Sequence, residues 1–382
     1  AIPIYNAQLD NSTFEPSSST EMSKLMYQRI QKLPSITLNT TFSNNLFNDL
    51  QGLLEVPEIT FLKTITNVGG MFYNCKSLTE IPVFDTSSVT NFNAFAQGCD
   101  SLTTVPALDY SKGTNFYNAF KGCKSLTAVP ELDLSSATDV TSIFDTCTKL
   151  TTIPEFNLSS VTNAISMFSG CSSLTAVSEL NLSSATNVNS MFSACGSLTA
   201  VSNLDLSSVT DASQMFYNCS SLTTLSNINN SSLEITSFMF AYCKKLTPSV
   251  FYVLNTSNVT NMSNMFDNSS FADYMENSEE GFPVFDTSKV TNMSSMFNRC
   301  SGLSYKPFPA IDMSSVTNSS RMFNTSGVKE LPVFNWGSLT NASSMFGGCT
   351  NLTDESLNNI MASCITATKL STKTLSNLGL ST

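Results

Sequence analysis

The sequence predicts an α/β solenoid, in which short parallel strands and short helices stack in about 12 to 13 copies between two terminal caps. Three observations support this fold class. A phrase of similar residues returns every 24 positions, the apolar residues inside one phrase follow one helical and one extended spacing, and a single phrase is too small to be stable alone. Repeats of this length typically form one elongated stack whose neighbouring copies share a continuous core.

Cysteines mark the repeat most clearly. Eight of them follow one another at intervals of 24 residues: Cys75, Cys99, Cys123, Cys147, Cys171, Cys195, Cys219 and Cys243. The register continues through Ser269, Cys300, Ser326 and Cys349 at intervals of 26, 31, 26 and 23, so two copies carry a hydroxyl in place of the thiol. A degenerate copy upstream has Leu50 at this position. We therefore expect twelve clear copies and one degenerate copy.

The second half of the phrase has the spacing of a short helix. In "SSVTNAISMFSGC" the apolar residues Val161, Ala164, Met167, Phe168 and Cys171 lie at i, i+3, i+6, i+7 and i+10, which places them on one face of a helix. The serine pair ahead of them is a candidate N-cap, and the asparagine of the same phrase is a second one. The glycine before the cysteine is a typical stop.

The first half of the phrase predicts a short strand. In "SLTAVPELDLSS" the apolar residues Leu126, Val129 and Leu132 are spaced three apart, and Pro130 follows the valine. Because proline has no N–H to donate, regular pairing is limited to about "SLTAV", and the chain then turns at the Asp-x-Ser corner. Equivalent strands of successive copies can pair in parallel at about 4.8 Å.

Both ends of the stack need covering, because each copy is stabilised mainly by its neighbours. We predict an N-terminal cap with a degenerate first repeat at residues 1–64, a repeat solenoid at residues 65–353 and a C-terminal helical cap at residues 354–382. The first cap includes the helical pattern of "SSSTEMSKLMYQRIQKL", and the last begins with "LTDESLNNIMASC". In that closing phrase the apolar residues at helical spacing are Leu357, Ile360, Met361 and Cys364.

Composition excludes several classes of partner. The net charge is −11 and only 12% of the residues are charged, about half of the roughly 25% that is usual in soluble domains. Nucleic acids and anionic membrane surfaces select clustered Lys and Arg, so neither is an expected partner. No apolar run reaches the roughly 18 to 20 residues that span a bilayer, so membrane insertion is not expected either.

Catalysis is not expected. The chain contains no histidine, which removes the most common general base and every Ser-His or Cys-His nucleophile. The recurring acidic residues at the corners would form a ladder along the stack and would not face each other across a cleft. No catalytic residue and no cofactor is therefore predicted.

The cysteines are predicted to fill space. A metal site needs close pairs such as Cys-x-x-Cys, and the spacing offers none. Side chains stacked in register keep their Cβ atoms about 4.8 Å apart, beyond the roughly 3.5 to 4.5 Å of a disulfide. We therefore predict a column of buried free thiols acting as small apolar fillers.

The recurring phrase "SSVTNxxxMFxxCxSLT", found as "SKVTNMSSMFNRCSGLS" and "SNVTNMSNMF", resembles the repeat of the BspA-like leucine-rich-repeat surface proteins. The resemblance covers about residues 45–353. It implies a leucine-rich-repeat-like stack, displayed outside the cell or at its surface and used for adhesion or recognition. Similar repeats are encoded in phages of gut bacteria, so the resemblance also allows a place in a virion.

Interruptions of the repeat are the candidate binding loops, because lengthened copies map to loops and loops carry recognition. The longest interruption combines acidic and aromatic residues: Phe271, Asp273, Tyr274, Glu276, Glu279, Glu280 and Phe282. A second one, "SYKPFPAID", contributes Tyr305 and Phe308. A solvated bulge without function is the alternative. A calcium site is not predicted, because no EF-hand or Asp-x-Asp phrase is present.

These observations predict a non-enzymatic extracellular scaffold for binding or adhesion, whose partner is a host or cell-surface protein or a glycan. The alternative is a structural or receptor-binding component of a phage particle or surface array, whose partners are other subunits of the virion. The alternative fold is a parallel β-helix without helices.

Overall fold

The computed structural model describes residues 35–41, 43–56, 58–177, 179–247, 254–270, 285–304, 307–371, 374 and 376–380. Within them, each copy of the repeat forms one coil, and the coils stack in parallel. One row of single-residue bridges joins twelve successive coils: Asn67, Asn91, Asn115, Asp139, Asn163, Asn187, Asp211, Ile235, Asn261, Asn292, Asn318 and Asn341. The predicted solenoid of stacked parallel copies is confirmed.

Six short strands lie in the described residues. They are β1 (Ile36–Leu38), β2 (Ile59–Phe61), β3 (Ala176–Val177), β4 (Leu180–Asn181), β5 (Ala200–Asp205) and β6 (Thr224–Asn229). Strand β1 pairs with β2, while β5 pairs with β3 and β4 on one side and with β6 on the other, always in parallel. Paired residues lie one repeat apart in the sequence, as Ala200 and Thr224 do.

Proline sets the length of these strands. The two six-residue strands, β5 and β6, carry Ser202 and Ser226 at the position where earlier copies carry Pro106, Pro130 and Pro154. The copies with Pro106, Pro130 and Pro154 show only isolated bridges, such as that of Thr104 with Ala128. Because a serine keeps the N–H that proline lacks, pairing continues through it.

The predicted helix within each copy does not form, and this part of the prediction is wrong. The segment is a series of turns, in which Ser166 and Gly170 have φ of +53° and +71°. The N–H of Phe168 donates to the carbonyl of Met191 in the next coil (2.9 Å), while the N–H of Cys171 closes a turn onto the Phe168 carbonyl (3.1 Å). Left-handed residues four positions apart interrupt an α-helix. N–H groups that donate to the next coil cannot also form the hydrogen bonds between residues i and i−4 that define an α-helix. In this respect the coils match the alternative, a parallel β-helix.

A column of phenylalanines forms the centre of the core. In its middle part the rings of Phe144, Phe168, Phe192, Phe216 and Phe240 stack with centroids 5.6 to 5.8 Å apart and interplanar angles of 6° to 10°. All five side chains are fully buried. Each ring therefore packs between two neighbours from adjacent coils, which ties the stability of one coil to the next.

Hydroxyl and amide side chains hold the coils in register at the surface. The Thr162 hydroxyl donates to the Thr138 carbonyl of the preceding coil (3.2 Å), and the Thr175 hydroxyl donates likewise to the Thr151 carbonyl (3.3 Å). The side-chain oxygen of Asn187 accepts from the N–H two residues later (2.8 Å). These bonds form Asx turns and edge contacts, so the abundant Ser, Thr and Asn have structural partners.

The closing helix is α1 (Asp354–Thr366), the one α-helix among the described residues, and a 3-10 turn spans Ser301–Ser304. Thr353 caps α1 by accepting from the Ser356 N–H (3.2 Å). The predicted apolar stripe faces the core only in part: Ile360 is buried and Cys364 packs half-buried against the core, whereas Leu357 and Met361 are exposed. The predicted N-terminal helix lies outside the described residues. In the part of the chain described, no helix is long and apolar enough to cross a bilayer.

Candidate functional site

Most of the predicted contact residues lie outside the described part of the chain. These are the seven residues of the long interruption, Phe271, Asp273, Tyr274, Glu276, Glu279, Glu280 and Phe282, together with Tyr305. The coils on either side of the interruption are described, and they stay in register across it: Asn261 bridges Asn292 over the 31-residue interval. The interruption is therefore inserted between two coils that stack normally.

Phe308 does not belong to a surface contact site, which corrects the prediction. Its side chain is only 5% exposed, and its ring packs edge-on against Phe297 and Phe323 with centroids 5.3 and 4.9 Å apart. The physical reason is its register: Phe308 lies four residues before the corner residue Asp312, where other copies place a buried valine or leucine. A phenylalanine at this position fills the core.

An ion pair between Arg299 and Asp267 joins the two coils that flank the long interruption. The Arg299 guanidinium donates to both carboxylate oxygens of Asp267, from Nη2 at 2.7 Å and from Nε at 3.1 Å. Nη2 also donates to the Tyr242 hydroxyl (3.1 Å), and the guanidinium lies 5.6 Å from that ring centroid. The hydrogen bonds that Arg299 donates to the Asp267 carboxylate raise the pKa of Arg299 above its ordinary value. Tyr242, Asp267 and Arg299 belong to three successive coils, so these contacts join the three coils.

The described surface carries a polar depression of about 350 Å³ near the N-terminal end of the stack. It is named here the amide depression, and its lining is Asn44, Asn45, Asn48, Asn67, Gly69, Gly70, Tyr73, Asn91, Asn93 and Ala94. Six carboxamides from three successive coils lie together there with two glycines and one aromatic ring. None of these ten residues is charged.

Two glycines let amide side chains pack closely against the backbone of the amide depression. Gly70 has φ of +62°, but Ser166 and Phe238 adopt similar angles at the equivalent place in other coils, so the angle alone does not require glycine. A Cβ on Gly70 would overlap the side-chain oxygen of Asn45, and one on Gly69 would lie 3.0 Å from the side-chain oxygen of Asn67. The amide of Asn45, from the preceding coil, and that of Asn67, from the same coil, therefore occupy the space that a side chain would take.

The amide groups of the depression can form hydrogen bonds to a ligand. The oxygens of Asn67 and Asn91 accept from the N–H groups of Gly69 (2.8 Å) and Asn93 (2.9 Å). This fixes the two side chains while their NH₂ groups donate to no described residue. The Tyr73 ring is 37% exposed at the same place. The arrangement offers hydrogen-bond donors, acceptors and an aromatic surface without charge, which suits a neutral, hydroxyl-rich molecule.

Sequence reasoning missed this depression. The recurring asparagine is interpreted from the sequence only as a candidate cap, and Tyr73 belongs to none of the motifs singled out there. The available signal was "TNVGGMF", where two glycines replace the polar pair of other copies, as in "TNASSMF".

The cysteine column consists of buried free thiols and offers no metal site among the described residues. All eleven cysteines are free thiols, and those from Cys75 to Cys300 are buried. Burial raises the pKa of Cys75 and of Cys300 to about 12. The described residues include no group of three or more acidic, cysteine or histidine side chains that could hold a metal ion. The predicted column of buried free thiols is confirmed.

Comparison with protein families decides the classification. A family described as "Mycoplasma protein of unknown function, DUF285" matches four stretches of the chain, residues 38–153, 114–225, 138–252 and 269–373. The chain belongs to this family. The matched stretches contain the copies on which the resemblance to BspA-like leucine-rich-repeat proteins rests, and that resemblance is confirmed.

Two solved structures resemble this DUF285 chain at low identity. A leucine-rich cell surface protein from Faecalibacterium prausnitzii A2-165 is 14% identical, with 76% of this chain and 87% of that chain covered and a TM-score of 0.31. A leucine-rich-repeat protein from Bacteroides ovatus ATCC 8483 is 17% identical, with 84% and 76% covered and a TM-score of 0.40. A comparison with curated proteins gave no match. The fold assignment rests on the bridges described above.

Proposed function

We propose that this DUF285 chain is a non-enzymatic scaffold displayed outside the cell or at its surface, where it binds a protein or a glycan ligand. The confirmed BspA-like resemblance supports the display. The amide depression carries the binding part of the proposal, because six carboxamides and a partly exposed tyrosine line one uncharged recess there. In the middle of the stack, the recurring thiols and threonine hydroxyls bond to the preceding coil, as Cys171 and Thr162 do, and the amide oxygen of Asn187 accepts a hydrogen bond within its own coil.

The chemistry of the amide depression favours a neutral sugar. Carboxamides can donate to and accept from vicinal hydroxyls, and an exposed tyrosine ring can pack against the apolar face of a pyranose. A charged ligand would find no opposite charge among the ten lining residues. The long interruption, from Phe271 to Phe282, is a second proposed contact, whose acidic and aromatic residues suit a protein partner.

A glycan array followed by titration calorimetry tests the depression. We expect the purified chain to bind neutral glycans. We expect Tyr73→Ala and Asn93→Ala each to weaken binding about tenfold, which corresponds to about 1.4 kcal/mol per lost contact. Tyr117→Ala is the matched control, because Tyr117 is similarly exposed (42%) and does not line the depression. Equal losses in all three variants would contradict a site at the depression.

Deletion of residues 271–282 tests the interruption in pull-down assays with host surface proteins. This deletion keeps Asn268 and Ser269, which bond to neighbouring coils through the Asn268 N–H and the Ser269 hydroxyl. Loss of protein capture with retained glycan binding would support two separate contacts. A chain that binds neither glycans nor proteins in these assays would contradict the proposed function as a whole.

A further inference from the structure

The closing helix α1 presents its polar face to the protein. Four of its side chains hydrogen-bond to the backbone of the last coil, replacing the strand that a further coil would supply. The bonds are Leu331 N–H to Ser356 Oγ (2.9 Å), Asn359 Nδ2 to Leu331 O (2.8 Å), Phe334 N–H to Ser363 Oγ (2.8 Å) and Trp336 N–H to Thr366 Oγ1 (2.8 Å). These bonds close the free edge of the stack.

The opposite face of α1 is apolar and open to solvent. Leu357, Met361 and Ile365 are 36%, 61% and 81% exposed, and they lie at i, i+4 and i+8 along one side of the helix. We name this row the outer stripe. A helix on a protein surface normally turns such a stripe toward the core. Here Ile360 is buried and Cys364 packs against the core, so the outer stripe is a second apolar row that the fold leaves exposed, and such a row indicates an interaction surface.

Charges at the two ends of the helix indicate which partner fits the outer stripe. Asp354 and Glu355 begin α1, and Lys369 lies just beyond its end, all three exposed. If two copies of α1 lie antiparallel with Met361 at the centre, the acidic end of each meets the lysine of the other. The same arrangement places Leu357 of one copy opposite Ile365 of the other. Both the apolar row and the charges are therefore self-complementary in this orientation.

We propose that the outer stripe is a homodimer interface, in which α1 packs antiparallel against α1 of a second copy of this chain. A single helix face is small beside a standard interface of about 1,600 Å², so the dimer is weak and depends on concentration. It would join two solenoids at their C-terminal ends. This leaves the amide depression, near the N-terminal end of each stack, at the far ends of the assembly, where two ligands can be held at once.

Sedimentation velocity over a concentration series tests the dimer. We expect the full chain to shift from a 41.3 kDa monomer toward a species of twice that mass, and Met361→Glu with Ile365→Glu to raise the dimer dissociation constant at least about tenfold. Val83→Glu is the matched control, because Val83 is 64% exposed and lies in an early coil. A monomer at every concentration, or a dimer that persists in the double variant, would overturn the proposal.

Charge exchange tests the orientation without touching the apolar row. Lys369→Glu should weaken the dimer, and adding Asp354→Lys with Glu355→Lys to that variant should restore it, because each end again meets its opposite charge. Circular dichroism at matched concentration checks that α1 still forms in every variant. Weakening without recovery would overturn the antiparallel arrangement. None of these outcomes depends on the ligand, so the dimer and the binding function fail or stand separately.

Discussion

The thiol of Cys195 donates a hydrogen bond to the backbone carbonyl of Phe168, in the preceding coil, at 3.1 Å. That carbonyl also accepts from the N–H of Cys171 in its own coil (3.1 Å). The cysteine is therefore both a small buried filler and the donor that links one coil to the next. Ser269 makes the equivalent bond to the carbonyl of Phe240, which explains why a hydroxyl can replace the thiol there.

Substitutions at Cys195 separate the donor from the filler. We expect Cys195→Ser to lower the free energy of unfolding by at most about 1 kcal/mol, because the hydroxyl keeps the bond to Phe168. Cys195→Ala should cost about 1 to 3 kcal/mol, since it removes both the donor and buried volume. Urea denaturation measures both values. A serine variant less stable than the alanine variant would contradict the donor role.

Truncation of the phenylalanine column should weaken the stack at one point. The Phe168 ring lies between Phe144 and Phe192, with centroids 5.8 and 5.7 Å away. We expect Phe168→Ala to lower the free energy of unfolding by about 3 to 5 kcal/mol and to broaden or split the urea transition, because coils on either side lose their shared contact. Tyr117→Ala, on the surface, should change it by less than about 0.5 kcal/mol. A small effect at Phe168 would show that the column does not couple the coils.

Alkaline pH should destabilise the chain through its buried thiols. An ordinary thiol loses its proton near pH 9, whereas burial raises the pKa of Cys75 and Cys300 to about 12. Between these values the unfolded chain binds fewer protons than the folded chain, so this stabilisation is complete below about pH 9 and is lost as the pH rises toward 12. Each thiol adds a slope of up to about 1.4 kcal/mol per pH unit.

Urea midpoints at pH 8, 9.5 and 10.5 measure this effect. A variant with Cys195→Ser, Cys219→Ser and Cys243→Ser should lose stability less steeply, because three of the titrating groups are gone. Tyrosine and lysine titrate in the same range in both proteins, so only the difference between the two slopes is informative. Parallel curves would contradict the contribution of the thiols.

Circular dichroism should show little helix from the repeats. Each coil is built from turns and isolated bridges, so the twelve bridged coils contribute no helical band, and α1 contributes 13 residues. The far-ultraviolet spectrum should lack the strong minimum at about 222 nm that one helix per copy would give. Helix content near one third of the chain would contradict the turn structure of the coils.

The register of the stack was readable from the sequence, and the conformation of the turns was not. The 24-residue spacing of cysteines fixed which residues lie above one another, and the prolines marked where strands stay short. Val161, Met167, Phe168 and Cys171 are all buried, as the helical spacing required. Successive turns bury residues three or four apart just as a helix does, and a left-handed serine such as Ser166 gives no signal in the sequence.

The candidate site was only partly readable, for two physical reasons. Phe308 looked like an exposed residue of an extension, yet counting back four positions from the corner residue Asp312 would have placed it in the core. The amide depression was missed because its asparagines also occupy cap positions in the repeat. What distinguishes it is the close approach of the Asn45 and Asn67 amides to Gly70 and Gly69, which depends on how the coils stack.

Site-resolved thiol labelling tests the central claim, that cysteines one repeat apart form a buried column. The native chain is treated with N-ethylmaleimide at pH 8 and digested for mass spectrometry. The nine buried thiols should stay unmodified: Cys75, Cys99, Cys123, Cys147, Cys171, Cys195, Cys219, Cys243 and Cys300. The half-buried Cys349 and Cys364 should react first, and all eleven should react in urea. Rapid native labelling of Cys147, Cys171 or Cys195 would contradict the stacked column and the fold derived from it.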